Sequence, residues 1–482
     1  MPLSLSKKLP FACTLASLLY LLFYTASNLS ASSSESFPTS TEDPFGGYRF
    51  FPEDVVPNFK APNEKSRNYH EWNDQTLREL HMCLERNDCG PNQRKVALLA
   101  AHWFEEAIVR GWRGGEGVWS LSMYKHLRAM GYTTLFANSF EEALAQYRMF
   151  PDLVQVVVRN RAGECHADSK CVKGPSNPDG IPAWKIFDFE YFPNPEGGHY
   201  HASLMKGKWI LSANPDKTND TPLQYIGFSM EDECLQRPAK PLAERSHRIW
   251  VLMKQLTYVY DGRFAWNRSF FSTASSTDPS SPIHGVPFTG AWIVDQHYQW
   301  KPELQGIMED IEDREHGVVN LLSRNDALAQ NKQDGEGKKG RMGPDEWERE
   351  VGNSKVMIGV GNPWMSPSPY HALCLGVPFL NPILNWDPRD KWNKAKWHTQ
   401  HPSLNRYDPP FVYHVHKSDY PGFVNAIHSA INTEIPSFIP RHMTEVAVRN
   451  RVRHLMEHDW KEEAKKVLLE RLGDGYGYTF EL

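Results

Sequence analysis

Short apolar runs alternate with amphipathic stretches along most of the chain. Val96–Ala101, Thr133–Ala137 and Leu153–Val158 are runs typical of buried strands, and stretches of helical period such as Val118–Met130 separate them. Strands that alternate with helices indicate a parallel sheet with right-handed crossovers. The pattern therefore predicts an α/β fold.

A second strand–helix–strand unit begins at the apolar run Val356–Val360. The Pro- and Ser-rich loop Asn362–Ser368 follows it, then a short helix over Tyr370–Leu375 and a strand over Val377–Leu380, with Ser368 as the expected N-cap. Open α/β sheets bind ligands at the carboxyl ends of their strands, and helix N-termini bind phosphates. The loop is therefore a candidate phosphate site, and an ordinary crossover without a ligand is the alternative.

Five further segments complete the predicted organisation. Asp74–Asn87 is typical of a helix, Arg248–Tyr260 of a helix that runs into a strand, and Met443–Leu472 of a long charged helical region that ends the fold. Residues 191–222, rich in Pro, Gly and Asn, indicate a link between domains, and residues 325–341 indicate a charged, glycine-rich insertion.

The N-terminus carries a targeting signal. Lys7 and Lys8 precede Leu9–Ala26, which contains no charged residue and is about long enough to cross a bilayer. The positive flank predicts a cytoplasmic N-terminus and a signal anchor that stays in the membrane, and a cleaved signal peptide is the alternative. The Ser/Thr-rich stretch Ser27–Thr41 is typical of a flexible stem. Much further along the chain, Asn267 begins a glycosylation sequon, which agrees with a secretory route.

Two α/β domains are expected after the anchor, because 482 residues with 40% apolar side chains suffice for two cores. The predicted boundaries are a cytoplasmic tail at 1–8, an anchor at 9–26, a stem at 27–94, a first domain at 95–221 and a second domain with closing helices at 222–482.

Cysteine usage agrees with an oxidising compartment. Cys83 and Cys89, and likewise Cys165 and Cys171, are close pairs in polar sequence, which predicts two local disulfides. A zinc site is the alternative for these four, although they lack the short hooks of structural zinc sites. Cys374 lies in an apolar helix and is expected to be a buried thiol.

The charge and the acidic motifs restrict the chemistry. A net charge of −5 gives no basis for a nucleic-acid surface. The chain contains no Asp-x-Asp sequence, and Asp188–Glu190 is only a weak imitation. If the ligand is a diphosphate, the protein itself must neutralise its charge without a metal ion. The cations near the candidate loop are Lys391, Lys394 and Lys396. For Lys394 and Lys396, the alternative is that they belong to a solvated surface.

The residues around the candidate loop form a specific frame. A lysine precedes the apolar strand, followed by G-x-G-x-P, P-x-P, a helix that ends in glycine, and then Phe-Leu-Asn-Pro. The positions are Lys355, Gly359, Gly361, Pro363, Pro367, Pro369, Gly376 and Phe379–Pro382, with Gln400-His401-Pro402 downstream. This frame closely resembles the donor-sugar loop of glycosyltransferase family 18. The run after Pro440, where a helix closes the domain, also matches the family, so the agreement is spread over about a hundred residues.

The resemblance implies both an architecture and an activity. The architecture is the GT-B type, with two Rossmann-like parallel-sheet domains facing a cleft. The activity is an inverting, metal-independent transfer of N-acetylglucosamine from UDP-GlcNAc to a mannose 6-hydroxyl of N-glycans, which forms a β-1,6 branch, by a type II Golgi membrane protein with a lumenal catalytic part. The implied donor-binding residues are Gly361, Asn362, Pro363, Ser368, His371 and Lys391.

The candidate catalytic base is Glu116, which lies in a Gly-Gly-Glu-Gly loop between the first strand and the first helix. The family's catalytic glutamate also follows a glycine and stands equally far before the glycine that ends its helix, here Gly131. A first-turn glutamate favoured only by the helix macrodipole is the alternative. Glu190 and Glu196 are the other candidate carboxylates.

Two positions depart from the family pattern. The family carries glutamates in the donor loop and its helix, where this chain has Met365 and His371. The departures leave open an altered donor or acceptor, or a catalytically silent relative that binds glycan or nucleotide.

Overall fold

The structure is a computed structural model. It describes residues 69–192, 205, 207–215, 223–274, 279–293, 312–313, 318–322, 342–475 and 479–482. The predicted anchor at 9–26, Glu196 and the predicted insertion at 325–341 lie outside the described residues. Within the described part, no helix is both long enough and apolar enough to span a membrane.

A parallel sheet of six strands forms the first half. Its order is β2-β1-β3-β4-β5-β6, and every neighbouring pair is parallel, as the alternating pattern predicted. The strands are β1 (Val96–Leu99), β2 (Thr133–Phe136), β3 (Val154–Arg159), β4 (Ile186–Glu190), β5 (Ile210–Ser212) and β6 (Gln224–Tyr225).

A mixed sheet of eight strands forms the second half, in the order β13-β12-β11-β7-β8-β10-β9, with β14 paired to β12. Among the strands that the structure describes here, the pairs β12–β13 and β9–β10 are antiparallel and the other pairs are parallel. The strands are β7 (Ile249–Leu252), β8 (Phe288–Gly290), β9 (Glu312–Asp313), β10 (Val318–Asn320), β11 (Val356–Gly359), β12 (Phe379–Asn385), β13 (His398–Thr399) and β14 (Val412–His416).

Helices connect and cover the strands. They are α1 (Tyr69–Arg86), α2 (His102–Phe104, continued by a π-helical turn over Glu105–Val109), α3 (Gly115–Ala129), α4 (Phe140–Met149), α5 (Ala162–Ala167), α6 (Glu231–Gln236), α7 (Arg268–Ser272), α8 (Pro344–Gly352), α9 (Ser368–Cys374), α10 (Tyr420–Ile431), α11 (Glu445–Glu457) and α12 (Trp460–Asp474).

One apolar core joins the two sheets within a single unit, residues 53–482. Alternate side chains of each strand point to opposite faces, so Ala97 of β1 and Met357 of β11 enter this shared core, whereas Leu98 and Ile358 enter separate outer cores. The C-terminal helices belong to the second half in sequence but pack on the first: the Trp460 ring meets the Phe187 ring edge-on at 5.0 Å.

Three expectations about local structure need correction. Arg248–Tyr260 begins with strand β7 and continues into a 3-10 turn at Leu256–Val259, so it contains no helix that runs into a strand. Residues 191–222 are more than a link, since β5 adds to the first sheet. Cys374 is not a thiol: it forms a disulfide with Cys234, in addition to the two predicted local disulfides.

Candidate functional site

The predicted donor loop follows β11 and is held by one buried glutamine. Gly361, with φ of +112°, donates its backbone N–H to Gln400 Oε1 at 2.7 Å, and Gln400 Nε2 donates to the carbonyl of Pro363 at 3.1 Å. The backbone carbonyl of Gln400 accepts the N–H of Met365 at 3.0 Å. A single residue therefore fixes the loop at three points.

The neighbouring histidine fixes the far end of the loop. His401 Nε2 lies 3.0 Å from the carbonyl of Ser366, and the His401 backbone exchanges two hydrogen bonds with the side chain of Asn381, at 3.0 and 3.1 Å. Burial lowers the pKa of His401 to about 4, so the imidazole is neutral and the nitrogen facing the carbonyl carries the proton. The Gln-His pair and Asn381 of the Phe-Leu-Asn-Pro run thus act together as the support of the loop.

A glycine at position 359 makes room for this support. A Cβ atom on Gly359 would collide with the side-chain oxygen of Gln400 and would lie 2.8 Å from Cδ of Pro382. The family-like spacing of glycine, proline and glutamine therefore has a local physical reason, which is close packing of the side chain that positions the loop.

Helix α9 has its N-cap one residue earlier than predicted. Pro367 is its N-cap and Ser368 its first helical residue. Ser366 rather than Ser368 acts as the local side-chain acceptor, because its hydroxyl oxygen accepts the N–H of Ser368 at 3.3 Å. Gly376 follows the helix with φ of +72°, as expected for a residue at C′.

The first sheet carries a cavity at the carboxyl ends of its strands. The cavity has a volume of about 490 Å³ and receives Glu116 from the first turn of α3 and Glu190 from the end of β4. Polar, charged and aromatic side chains line it together with these carboxylates: His102, Trp103, Asn138, Asn160, Arg161, Glu164 and Phe192. The two carboxylates that the sequence singled out within the described chain therefore line one cavity.

Residues that follow β4 connect this cavity to the donor loop. Tyr191, which lines the cavity, donates its hydroxyl to the carbonyl of Met365 at 3.2 Å, and the rings of Phe192 and Trp364 are stacked with centroids 6.1 Å apart. Burial, and secondly the Glu116 carboxylate, raise the pKa of Tyr191, which keeps the hydroxyl protonated and able to donate. The cavity and the loop therefore lie next to each other.

The glycines beside Glu116 serve this packing. A Cβ atom on Gly115 would lie 2.8 Å from Cζ of Tyr191, and one on Gly117 would lie 2.6 Å from the carbonyl of Trp112. In the described structure, the Tyr191 side chain packs where a Cβ of Gly115 would lie, and the Trp112 backbone packs where a Cβ of Gly117 would lie.

The carboxylate of Glu190 is electrostatically unusual. Burial, and secondly the negative charge of Asp188, raise the pKa of Glu190 to about 7, against a smaller opposing effect of Arg161. Burial also raises the pKa of Asp188 to about 6. A carboxyl group with a pKa near 7 is matched to proton transfer at neutral pH, so Glu190 is a second candidate for the base.

The predicted lysines differ in their surroundings. The ammonium of Lys394 pairs with Asp408 at 2.5 Å, whereas that of Lys391 lies 5.3 Å from the ring centre of Trp392 and has no ion pair with any residue that the structure describes. The Lys391 carbonyl accepts from the indole N–H of Trp397 at 2.8 Å. Lys391 is therefore the more available cation of the two.

His371 lies among acidic residues of other helices. Its Nδ1 is 3.8 Å from Oε1 of Glu348, on α8, and it belongs with Glu348 and Glu233 to a group whose ligand atoms all lie within 4.8 Å of one another. Among the described residues, this is the one such group that could hold a metal ion. The residues that pattern reasoning missed are Tyr191 and Phe192, whose roles depend on contacts with a loop distant in sequence.

The fold and site define an α/β protein with two largely parallel sheets, a supported loop at a strand end, and beside it a cavity that Glu116 and Glu190 line. Residues 338–466, roughly a quarter of the chain, match the family model described as glycosyltransferase family 18. This match supports the resemblance to that family that the loop residues indicated.

The chain also has a low overall similarity to two solved structures. The crystal structure of Anabaena Alr3699/HepE in complex with UDP has a TM-score of 0.39 and 7% identity, covering 79% of this chain and 100% of that one. An alpha-glucosyltransferase in complex with UDP-glucose and DNA containing an abasic site has a TM-score of 0.37 and 8% identity, covering 77% of this chain and 98% of that one. Among curated proteins, no match was found.

Proposed function

We propose that this protein is an inverting glycosyltransferase of the GT-B type that uses a nucleotide-sugar donor. The observation that carries the proposal is the hydrogen bond from Tyr191 to Met365, which brings the donor loop beside the cavity that Glu116 and Glu190 line. Transfer of a sugar requires a base for the acceptor hydroxyl and stabilisation of the leaving diphosphate. The cavity supplies the first requirement and the loop, with Lys391, the second.

In this proposal Glu116 takes the proton of the acceptor hydroxyl. Trp103 and Phe192 offer apolar faces to a sugar ring, while Asn138 and Asn160 offer amide groups to its hydroxyls, which is the usual composition of a specific polar-ligand pocket. Burial favours the neutral form of Glu190 below about pH 7, so this group would donate a hydrogen bond to the acceptor in acidic solution.

The donor proposed from the resemblance is UDP-GlcNAc, and the acceptor is a mannose 6-hydroxyl of N-glycans. Gly361, Asn362, Pro363, Ser368 and Lys391 would hold the nucleotide diphosphate without metal. His371 is left out of this set because it lies beside Glu348. A Golgi location with an N-terminal anchor remains part of the proposal.

The test is transfer by the purified chain from a panel of nucleotide sugars to mannose-terminated N-glycans, with products identified by mass spectrometry and linkage analysis. The expected product carries one GlcNAc in β-1,6 linkage. Transfer from another nucleotide sugar would indicate the altered-donor alternative, which the replacement of the family's loop glutamate by Met365 favours. UDP binding without transfer of any sugar in the panel would indicate a silent relative.

A further inference from the structure

A second cluster of chemically active side chains lies outside the proposed transfer site. His371 of α9, Glu348 of α8 and Glu233 of α6 come from three different helices and meet at one point. The His371 side chain is only 13% exposed and that of Glu348 only 14%. None of the three has a role in the transfer proposed above.

The cluster has the chemistry and nearly the dimensions of a zinc site. Zinc binds imidazole nitrogen and carboxylate oxygen at about 2.0–2.2 Å in tetrahedral geometry, which places neighbouring ligand atoms about 3.3 Å apart. Nδ1 of His371 and Oε1 of Glu348 are 3.8 Å apart, and all three ligand atoms lie within 4.8 Å of one another. Side-chain movements of about an ångström would therefore bring them to bonding distance.

The surroundings resemble the outer partners that orient metal ligands. Arg237 pairs with Oε2 of Glu348, which leaves Oε1 directed at His371. Lys125 lies 3.8 Å from Oε1 of Glu233.

A covalent bond holds two of the three helices together. Cys234 is adjacent to Glu233, Cys374 lies in the same short helix as His371, and the two cysteines form a disulfide with Cα atoms 5.6 Å apart. The backbones that carry Glu233 and His371 are therefore kept close before any ion arrives, which reduces the ordering required for binding.

We propose that Glu233, Glu348 and His371 bind one zinc ion that fastens α6 and α8 to the helix behind the donor loop. The fourth position would be taken by water. The ion has a structural role, separate from the diphosphate chemistry, and the proposal does not depend on the proposed transferase activity.

The test is zinc titration of the purified full-length chain in competition with a fluorescent zinc chelator. One tight site is expected in the wild type, and His371→Ala or Glu348→Gln should weaken it by at least about 100-fold. Arg237→Gln, which removes an outer partner, should weaken it about 10–100-fold. Calcium and magnesium, which prefer all-oxygen sites, should not compete.

The matched control is His81→Ala. His81 lies 4.0 Å from Glu85 in an exposed pair on α1, a similar spacing, and this pair is not part of the three-ligand group. This variant should bind zinc as the wild type does. Equal zinc affinity in wild type and His371→Ala, or absence of a tight site in the wild type, would overturn the proposal. The three side chains would then form only a cluster of ion pairs. If His371→Ala shows no cooperative thermal transition, the result for Glu348→Gln decides.

Discussion

Replacing Gln400 by leucine tests whether this residue positions the donor loop. The side chain is fully buried and bonds the Gly361 N–H at 2.7 Å and the Pro363 carbonyl at 3.1 Å. Leucine keeps the approximate volume but removes both partners. A buried polar group left unpaired costs about 1–3 kcal/mol, so Gln400→Leu should lower the free energy of unfolding by about 2–6 kcal/mol. The lower end is expected, because Pro363 is only partly buried and water can reach its carbonyl.

The assay measures two quantities on the same preparation: the free energy of unfolding from urea titration, and the dissociation constant for UDP from calorimetry. UDP affinity should fall at least tenfold, which corresponds to about 1.4 kcal/mol of lost loop preorganisation. The control is Gln146→Leu. Gln146 is a buried glutamine on helix α4, which follows strand β2 of the first sheet, and its side chain donates to the carbonyl of Phe136 at 2.8 Å. It should lose stability by about 1–3 kcal/mol without a change in UDP affinity.

The two variants together separate a local role from a general loss of stability. Wild-type UDP affinity in Gln400→Leu would refute the assignment of Gln400 as the support of the loop, whatever its stability. An equal fall of UDP affinity in Gln146→Leu would show that binding follows global stability instead.

Three further outcomes are expected. Below about pH 4.5 Glu190 is protonated in both the folded and the unfolded chain, but its pKa of about 7 in the folded chain makes its ionisation destabilise the fold as the pH rises from about 4.5 to about 7. In urea unfolding, Glu190→Gln should therefore be more stable than the wild type at pH 8 but not at pH 4. An equal difference in unfolding free energy between variant and wild type at the two pH values would contradict this. Transfer should persist in excess EDTA well below the melting temperature, and a strict manganese requirement would contradict the site. The mature chain should retain residues 1–26 and resist carbonate extraction, and mature chains beginning after Ala26 would exclude the anchor.

The short apolar strands were predictable because they are buried on both faces. β1, β3 and β11 are mostly apolar runs rich in Val, Leu or Ile, and their alternation with helices in sequence indicates a parallel sheet. The sequence pattern predicts a helix where the structure has β7, because Ile249–Leu252 continues into an apolar stretch whose spacing also fits a helix. β5 and β6 are too short to show an alternating apolar pattern, and the residues around them are largely polar.

The site was predictable where one short segment contains it, and unpredictable where distant segments meet. Glu116, the loop and the Gln-His pair carry motifs of their own. The contact of Tyr191 with Met365 joins residues far apart in sequence, and nothing in a tyrosine after a strand indicates it. The same holds for Cys234 and Cys374, whose sequence separation of 140 residues hides their pairing.

Glu116→Gln tests most directly whether the cavity and the loop act as one transferase site. The substitution keeps the shape of the side chain and removes its ability to accept a proton, and a first-turn glutamate supports its helix by only about 0.3–1 kcal/mol. Turnover and UDP affinity are measured in parallel, with Lys391→Ala, in the segment between β12 and β13 of the second sheet, as the contrasting variant.

Glu116→Gln should lower turnover about 10²–10⁴-fold and leave UDP affinity unchanged, whereas Lys391→Ala should weaken UDP binding as well as transfer. Near-wild-type turnover in Glu116→Gln, with a loss instead in Glu190→Gln, would move the base to the neighbouring carboxylate. An equal loss of UDP affinity in Glu116→Gln and Lys391→Ala would contradict the division of the site into a base on one sheet and a diphosphate loop on the other.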